Sequence, residues 1–194
     1  LLAVNNGRLR TVILLATPVV GALNILTLGP GELWTAALAG FDLSMLRVDR
    51  LSLLFGYIFH IAAFFGVLYG LHVKDRMQQF ASLAYPGAAL GAVFAGDLLT
   101  LFIFWELLAL TSVLLIWARQ STRSAGAGMR YLVISVVSGL LLLAGALIQQ
   151  RQTGSLAFEY IGLGGLASWL IFLAFGIKCA FPFLHNWLTD SYPE

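Results

Sequence analysis

The sequence predicts an all-α fold, a polytopic transmembrane helical bundle of about six spans. Of the 194 residues, 60% are hydrophobic and only 10% are charged, whereas a soluble domain carries roughly 45–50% apolar and about 25% charged residues. The charges fall in clusters, and the apolar runs between them approach the roughly 20 helical residues that cross a bilayer. Apolar and polar residues do not alternate, and lipid offers no partners to open strand edges, so helices are expected.

Six apolar runs are expected to form one transmembrane domain covering residues 1–194. In chain order they are residues 12–28, 51–73, 80–96, 98–118, 131–148 and 161–184. The connection over residues 29–50 is expected to be an external loop, which could include a short interfacial helix anchored by Trp34. Asp97 lies at a span boundary and suits the N-cap of a helix.

The Lys and Arg residues on alternate sides of these runs predict the orientation. One side carries seven and the other three, so the N-terminus is expected on the cytoplasmic side and the fourth span runs from outside to inside. The seven are Arg8, Arg10, Lys74, Arg76, Arg119, Arg123 and Arg130, and the three are Arg47, Arg50 and Arg151.

Composition and motifs exclude several classes of function. Eleven Lys and Arg against nine Asp and Glu give a net charge of +2, which is too balanced to predict a nucleic-acid partner. A single cysteine, Cys179, excludes an internal disulfide framework and a cysteine-based metal site. No phosphate-binding glycine loop, dinucleotide fingerprint or supported Ser-His-Asp arrangement is present, so neither a cofactor nor a metal is expected. Energy is expected to come from an ion gradient or another subunit.

Two ionisable side chains interrupt apolar spans, Glu106 in the fourth and Lys178 in the sixth. A charge near the bilayer centre costs roughly 2.5–3.5 kcal/mol even on the lenient insertion scale, so such residues face a protein interior or a water-filled cavity. The residues three and four positions from Glu106 are unable to pair with it, and Lys178 is the one buried cation that the sequence supplies. One interpretation is a proton-handling site. The other is a structural ion pair, or two groups that stay neutral.

The backbone around Lys178 is expected to leave the helical path. Pro182 has no N–H, so the carbonyl of Lys178 loses its helical partner, and Gly176 loosens the same turn. Transporters use such breaks at ion sites. His185, seven residues after Lys178, could pass a proton onward if the helix continues; alternatively it marks the interface or binds a freed carbonyl. His60 is expected to be a hydrogen-bonded interhelical histidine, with a proton relay as the less favoured role.

Three segments resemble one family of membrane proteins. Residues 96–107 (GDLLTLFIFWEL) resemble the glutamate helix of antiporter-like membrane subunits, and residues 176–188 (GIKCAFPFLHNWL), with YPE at 192–194, resemble their broken lysine helix. Residues 48–52 (VDRLS) resemble the entry to an earlier helix. Such subunits occur in Mrp-type multisubunit cation/proton antiporters and in respiratory complex I with its hydrogenase relatives. The likeness runs from about residue 41 to the end and is closest to the D-type subunits of Mrp antiporters.

The resemblance implies that Glu106 and Lys178 form the intramembrane pair of the family, with His185 as a neighbour on the proton path. It implies a multi-pass subunit of a bacterial inner membrane, in contact with lipid and other antiporter subunits, that moves protons and Na+. It also implies two inverted repeats of about fourteen helices. The chain begins at Leu1 without Met and stops at Glu194, so we expect an N-terminal portion of that fold.

The implied activity is that of a secondary transporter subunit rather than an enzyme. If the subunit is instead redox-linked, the resemblance implies a translocase subunit of a complex I-like or hydrogenase complex, without a redox site of its own. A membrane scaffold that does not transport is the third possibility.

Overall fold

The computed structural model describes residues 2, 4, 6–31, 33–38 and 40–193. Leu1 and Glu194, on which the expectation of a longer chain rests, lie outside the described residues. The described helices are α1 (Gly7–Ile25), α2 (Arg50–Tyr69), α3 (Arg76–Phe94), α4 (Leu98–Trp117), α5 (Thr122–Thr153), α6 (Leu166–Lys178) and α7 (Asn186–Ser191), with a 3-10 turn over Gly70–His72. The strands are β1 (Leu33–Leu38) and β2 (Phe41–Arg47).

The helices from α1 to α6 pack in chain order, each against the next, and α7 returns to pack on α5. Four of the described helical segments are long and apolar enough to cross a membrane: α1, α2 with its 3-10 turn, α4 and α5. The polytopic helical class is therefore confirmed, whereas the number of six spans is matched only roughly. The helix α6 has 13 residues, and α3 opens with polar residues and is otherwise rich in alanine and glycine.

The segment before α2 is a β-hairpin, so the short interfacial helix considered for residues 29–50 is wrong. The strands β1 and β2 pair antiparallel across a turn in which Gly40 has φ +83°, a left-handed conformation that glycine adopts without strain. Trp34 lies in β1 and is 60% exposed, whereas Leu43 of β2 is fully buried. The hairpin is the main departure from the all-α prediction.

Asp97 joins this hairpin to α4. As predicted, it is the N-cap of α4, where one carboxylate oxygen accepts a hydrogen bond from Thr100 N at 2.7 Å. Its other oxygen accepts one from Ser44 N of β2 at 2.5 Å, and Gly96 N donates to Ser44 O at 2.9 Å. The start of α4 is therefore fixed against the hairpin, which in turn sets the depth of the residues further along α4.

The largest buried cluster lies where α4, α5 and α6 meet. It contains Ala95, Leu98, Leu101, Trp105, Leu142, Ala146, Ile171 and Ala174. By contrast, α1 and α2 expose many of their apolar side chains, as expected where the surrounding solvent is lipid or further protein. The helices α4, α5 and α6 thus form the best-buried part of the described fold, and Glu106 and Lys178 belong to it.

Candidate functional site

A chain of hydrogen bonds links α4, α5 and α6 through their buried faces. The indole Nε1 of Trp105 donates to the hydroxyl of Ser138 at 3.2 Å, and that hydroxyl donates to the carbonyl of Ala174 at 2.9 Å. Ser138 is fully buried, and in such a setting an unpaired polar group would cost about 1–3 kcal/mol. These bonds therefore fix the register of the three helices around Glu106, which follows Trp105, and Lys178, one turn after Ala174.

Glu106 points from α4 at the backbone of α5. Its Oε1 occupies the space that a Cβ at Gly139 would need, so any side chain at position 139 would displace the carboxyl group. That oxygen is buried and accepts no hydrogen bond from the described residues. Gly139 therefore provides the room that allows a carboxyl group to lie between two packed helices.

Lys178 is the last residue of α6, and its Nζ is buried without a hydrogen-bond partner among the described residues. The charges of Glu106 and Lys178 interact electrostatically, but in the described part of the chain no N–O contact within 4.0 Å joins them. The ammonium instead lies over two aromatic rings, 5.6 Å from the centroid of Trp105 and 5.8 Å from that of Tyr131. The structure brings the two predicted residues into one region but not into a direct ion pair.

The helix α6 ends at Lys178 in a Schellman turn. Ala180 N donates to Ile177 O at 3.2 Å, and Phe181 N donates to Gly176 O at 2.9 Å, the pair of bonds that defines this motif. The turn requires a left-handed residue, and Ala180 has φ +54°. That conformation costs a residue with a Cβ roughly 1–2 kcal/mol.

The two predicted break residues lie at this turn. Gly176 makes room for the ring of Phe181, since a Cβ at position 176 would lie 2.9 Å from its Cδ2. Pro182 follows the turn, four residues after the last helical residue. The indole of Trp187 then donates to Ile177 O at 2.9 Å, which ties the start of α7 to the end of α6. At about 1.5 Å per residue, the 13 residues of α6 span roughly 20 Å, less than the hydrocarbon core.

A cavity of about 490 Å³ opens beside Lys178. It lies between α3, α4, α5 and α7, and its wall includes several hydroxyl groups. The hydroxyl of Ser112 in α4 donates to that of Tyr131 in α5 at 2.6 Å. Ser191 of α7 is buried, and its hydroxyl has no partner among the described residues. The residues that line the cavity are Tyr85, Ser112, Leu115, Ile116, Tyr131, Lys178, Trp187, Ser191 and Tyr192.

The predicted histidines do not line this cavity. His60 is buried where α2 meets α1, with its Nδ1 2.7 Å from Gly56 O of its own helix and its ring against Gly21. His185 is exposed and precedes α7. The helix expected to carry His185 on the face of Lys178 does not continue, because α6 ends at Lys178. The proton-path roles of both histidines remain predictions.

Several residues of the site give little signal in the sequence. Trp105 and Tyr131 look like ordinary apolar residues, and Gly139 is one of many small residues in the chain. For Ser138 the sequence indicates only a residue lining a hydrated path or a partner of its own helix. A period of three to four residues in α5 places Tyr131, Ser135, Ser138 and Leu142 on one face, and that pattern could have indicated the buried side. Among the described residues no group of three or more His, Cys, Asp or Glu could hold a metal ion.

The chain is similar in sequence to subunits of antiporters and of NADH-quinone oxidoreductases. A Na(+)/H(+) antiporter subunit A1 of Staphylococcus aureus is 32% identical over 123 residues, which covers 60% of this chain and 15% of that protein. An NADH-quinone oxidoreductase subunit N of Deinococcus radiodurans is 30% identical over 203 residues, which covers 88% of this chain and 41% of that protein. The chain therefore spans well under half the length of these curated relatives. The expectation that it is most like the D-type subunits of Mrp antiporters remains a prediction.

Solved structures show the same fold. The chain matches a chain of a membrane-bound sulfane sulfur reductase, an archaeal respiratory membrane complex, with a TM-score of 0.83 and 26% identity over 99% of this chain and 33% of that one. It matches a chain of the Mrp complex from Dietzia sp. with a TM-score of 0.80 and 20% identity over 96% of this chain and 39% of that one. At 20% identity, the similarity to the Mrp complex chain shows a shared fold and no more.

The region that carries Glu106 and Lys178 also carries the family match. A family profile described as NADH:quinone oxidoreductase/Mrp antiporter, TM, matches residues 95–194, just over half of the chain and all of α4, α5, α6 and α7. The chain belongs to the NADH:quinone oxidoreductase/Mrp antiporter family of transmembrane proteins.

Proposed function

We propose that this chain is an ion-translocating subunit of a multisubunit Na+/proton antiporter, in which protons move through Glu106 and Lys178 in the middle of the membrane. The observation that carries the proposal is the absence of hydrogen-bond partners, among the described residues, for the buried Oε1 of Glu106 and Nζ of Lys178. Buried ionisable groups are expensive in a membrane, and they persist where transport uses them.

The position of Lys178 gives the pair a means of exchanging protons. Each group keeps its charge more readily when the opposite charge is near and less readily in an apolar setting. Lys178 lies where a helix stops, and the Schellman turn after it contains Ala180 in a left-handed conformation. A change in the separation between Glu106 and Lys178 would change the proton affinity of both, and the adjoining cavity would give the released proton a route.

The test replaces each charge in the complete protein in its native membrane. Na+-gradient-driven proton exchange in vesicles is expected to fall about 100-fold or more for Glu106→Gln and for Lys178→Ala, the range for loss of a proton-transfer group. Matched controls are Glu159→Gln and Lys74→Ala, which remove exposed charges and should leave exchange and membrane insertion normal. Wild-type exchange in either Glu106→Gln or Lys178→Ala would refute the proposal.

A second candidate is a proton-pumping subunit of a complex I-like or hydrogenase redox complex. It is favoured by the match over 88% of this chain to an NADH-quinone oxidoreductase subunit and by the likeness to a chain of a respiratory membrane complex. The roles of Glu106 and Lys178 would be the same. Affinity purification from native membranes distinguishes the candidates: iron–sulfur or flavin subunits would be recovered in the redox case, and only further membrane subunits in the antiporter case.

A third candidate is a scaffold that does not transport ions. The hydrogen bonds from Trp105 through Ser138 to Ala174 favour some structural role for the same helices. On this account Glu106 and Lys178 serve packing alone, and apolar replacements of similar shape would preserve the activity of the complex.

The remaining parts of the proposal concern setting and partners. We place the chain in a bacterial inner membrane, in contact with lipid and with other membrane subunits of the same complex, with protons and Na+ as the transported ions. Exposed apolar side chains on α1, α2 and α4 to α6 provide surface that lipid or those subunits would cover. His185, and less so His60, would continue the proton path.

A further inference from the structure

The ammonium of Lys178 has a defined place apart from Glu106. Its Nζ lies 5.6 Å from the ring centroid of Trp105 and 5.8 Å from that of Tyr131. Cations are attracted to aromatic faces within about 6 Å, and the attraction is stronger where water is excluded. The two rings come from different helices, α4 and α5, so the ammonium of a third helix, α6, lies over both.

Both rings are held in place by contacts of their own. Trp105 donates to Ser138 and meets the ring of Phe175 edge-on, with centroids 5.0 Å apart. Tyr131 is hydrogen-bonded to Ser112 at 2.6 Å, and its centroid lies 5.5 Å from that of Trp187. Trp105 and Tyr131 are also buried, at 6% and 7% exposure. The rings therefore do not need to reorganise to receive a cation.

We propose that Trp105 and Tyr131 form an aromatic seat for protonated Lys178, and that Lys178 alternates between this seat and Glu106. The inference rests on the proposed function and assigns both aromatic residues a positioning role. A ring face stabilises an ammonium group without accepting its proton. The seat therefore holds the charged form of Lys178 away from Glu106, while the proton can still leave into the adjoining cavity.

The surroundings of Lys178 define what else could influence its proton. Among the described residues, the titratable groups near it are Glu106 from α4, Cys179 next in the chain, and the cavity-lining Tyr85 from α3, Tyr131 from α5 and Tyr192 after α7. Glu106 is the one carboxyl group in this set. When Lys178 is apart from it, the rings of the seat are the contacts that favour the ammonium form.

The test varies the ring at position 131 with little change in its shape. Tyr131 is replaced by phenylalanine and by phenylalanines carrying one, two or three fluorine atoms, which progressively weaken the negative potential of the ring face. The readout is the pH profile of Na+-gradient-driven proton exchange in native membranes, measured with an insertion control. The same substitutions at Tyr160, which is 98% exposed, provide the matched series.

Tyr131→Phe keeps the ring and loses the hydrogen bond to Ser112, so it is the reference against which the fluorinated variants are compared. Each added fluorine should then move the alkaline limb to lower pH, because a less stabilised ammonium loses its proton earlier. The full series should shift the alkaline limb by about half to one pH unit, which corresponds to the free energy of weakening one desolvated cation–π contact. The series at Tyr160 should give none.

Two results would overturn the seat. One is loss of exchange in Tyr131→Phe with no further effect of fluorine, which would assign the role to the hydroxyl. The other is an unchanged profile across the whole series while Lys178→Ala, in parallel membranes, is inactive. Full exchange by Lys178→Ala would instead refute the proposed function, and the seat with it, so the two failures are distinguishable.

Discussion

The chain contains two pairs of opposite charges in contrasting surroundings. On the surface, Arg130 of α5 donates to both carboxylate oxygens of Asp190 of α7, at 2.6 and 2.9 Å, with both side chains partly exposed. In the interior, Glu106 and Lys178 are within electrostatic reach of each other, yet the buried Oε1 and Nζ have no hydrogen-bond partner among the described residues. The surface pair is hydrogen-bonded directly, and the interior pair, in the part of the chain that the structure describes, is not.

This difference distinguishes a pair of charges that joins two helices from a pair whose retention needs another reason. A solvent-exposed bidentate ion pair costs little free energy to desolvate. It also contributes little to stability, because water screens the attraction. A buried charge without a partner opposes folding, so it is retained where another requirement outweighs that cost. The hydrogen bonds of the frame around the interior pair, from Trp105 to Ser138 and from Ser138 to Ala174, join the three helices that carry Glu106 and Lys178.

The largest effect is expected from Gly139→Ala, which acts on the interior pair without removing a charge. The new Cβ would occupy the place of Glu106 Oε1 and displace the carboxyl group, and a misplacement of about 1 Å can cost roughly 100-fold in rate. Proton exchange in vesicles checks this. Gly87→Ala, in a helix where a Cβ meets nothing within 4 Å, should leave exchange unchanged. Equal exchange in the two variants would show that the position of Glu106 does not matter.

A smaller effect is expected from Ser138→Ala, which acts on the frame. It leaves the buried Nε1 of Trp105 without an acceptor and should lower the free energy of unfolding by about 1–3 kcal/mol. Thermal unfolding of the purified protein measures the loss. The matched control is Ser82→Ala, whose hydroxyl bonds, among the described residues, only to Gln79 O of its own helix and should change stability by less than about 0.5 kcal/mol. A loss at Ser138 no greater than that at Ser82 would refute the idea of a frame.

The smallest effect is expected from Asp190→Asn, which acts on the surface pair. The hydrogen bonds and charge of Arg130 hold the pKa of Asp190 below its ordinary value of 3.8. The stabilisation by this pair is therefore complete well above pH 3.8 and is lost as the pH falls through the lowered pKa. Low-salt melting temperatures should show a small deficit of Asp190→Asn at about pH 7 that vanishes near about pH 2. A deficit that persists in acid would contradict the assignment.

Much of this contrast could be predicted from the sequence. Glu106 and Lys178 are conspicuous because charges are rare in apolar runs, and Asp97 follows the rule for helix N-caps. The frame could not be predicted, because the partner of Trp105 depends on how α4 and α5 rotate about their axes when they pack. The hairpin was also missed, since β1 is short and apolar and its partner strand β2 is positioned by Asp97, more than fifty residues away.

The end of α6 was predicted only in part from the sequence. Pro182 indicated a break, but the helix ends at Lys178 in a turn that usually carries glycine. Ala180 occupies that left-handed position instead, so the residue type gave no signal. The turn is supported by the contact of Phe181 with Gly176 and by the bond from Trp187 to Ile177 O, and such tertiary contacts are not readable from local sequence.

The most direct test of the central claim is the double substitution Glu106→Leu with Lys178→Met, which fills both positions with apolar groups of similar size. The measurement is Na+-gradient-driven proton exchange per assembled complex in native membranes. Because apolar replacement of a buried charge pair is often neutral or stabilising, we predict normal assembly with exchange lost. Normal assembly with wild-type exchange would contradict the claim and leave Glu106 and Lys178 with a structural role alone.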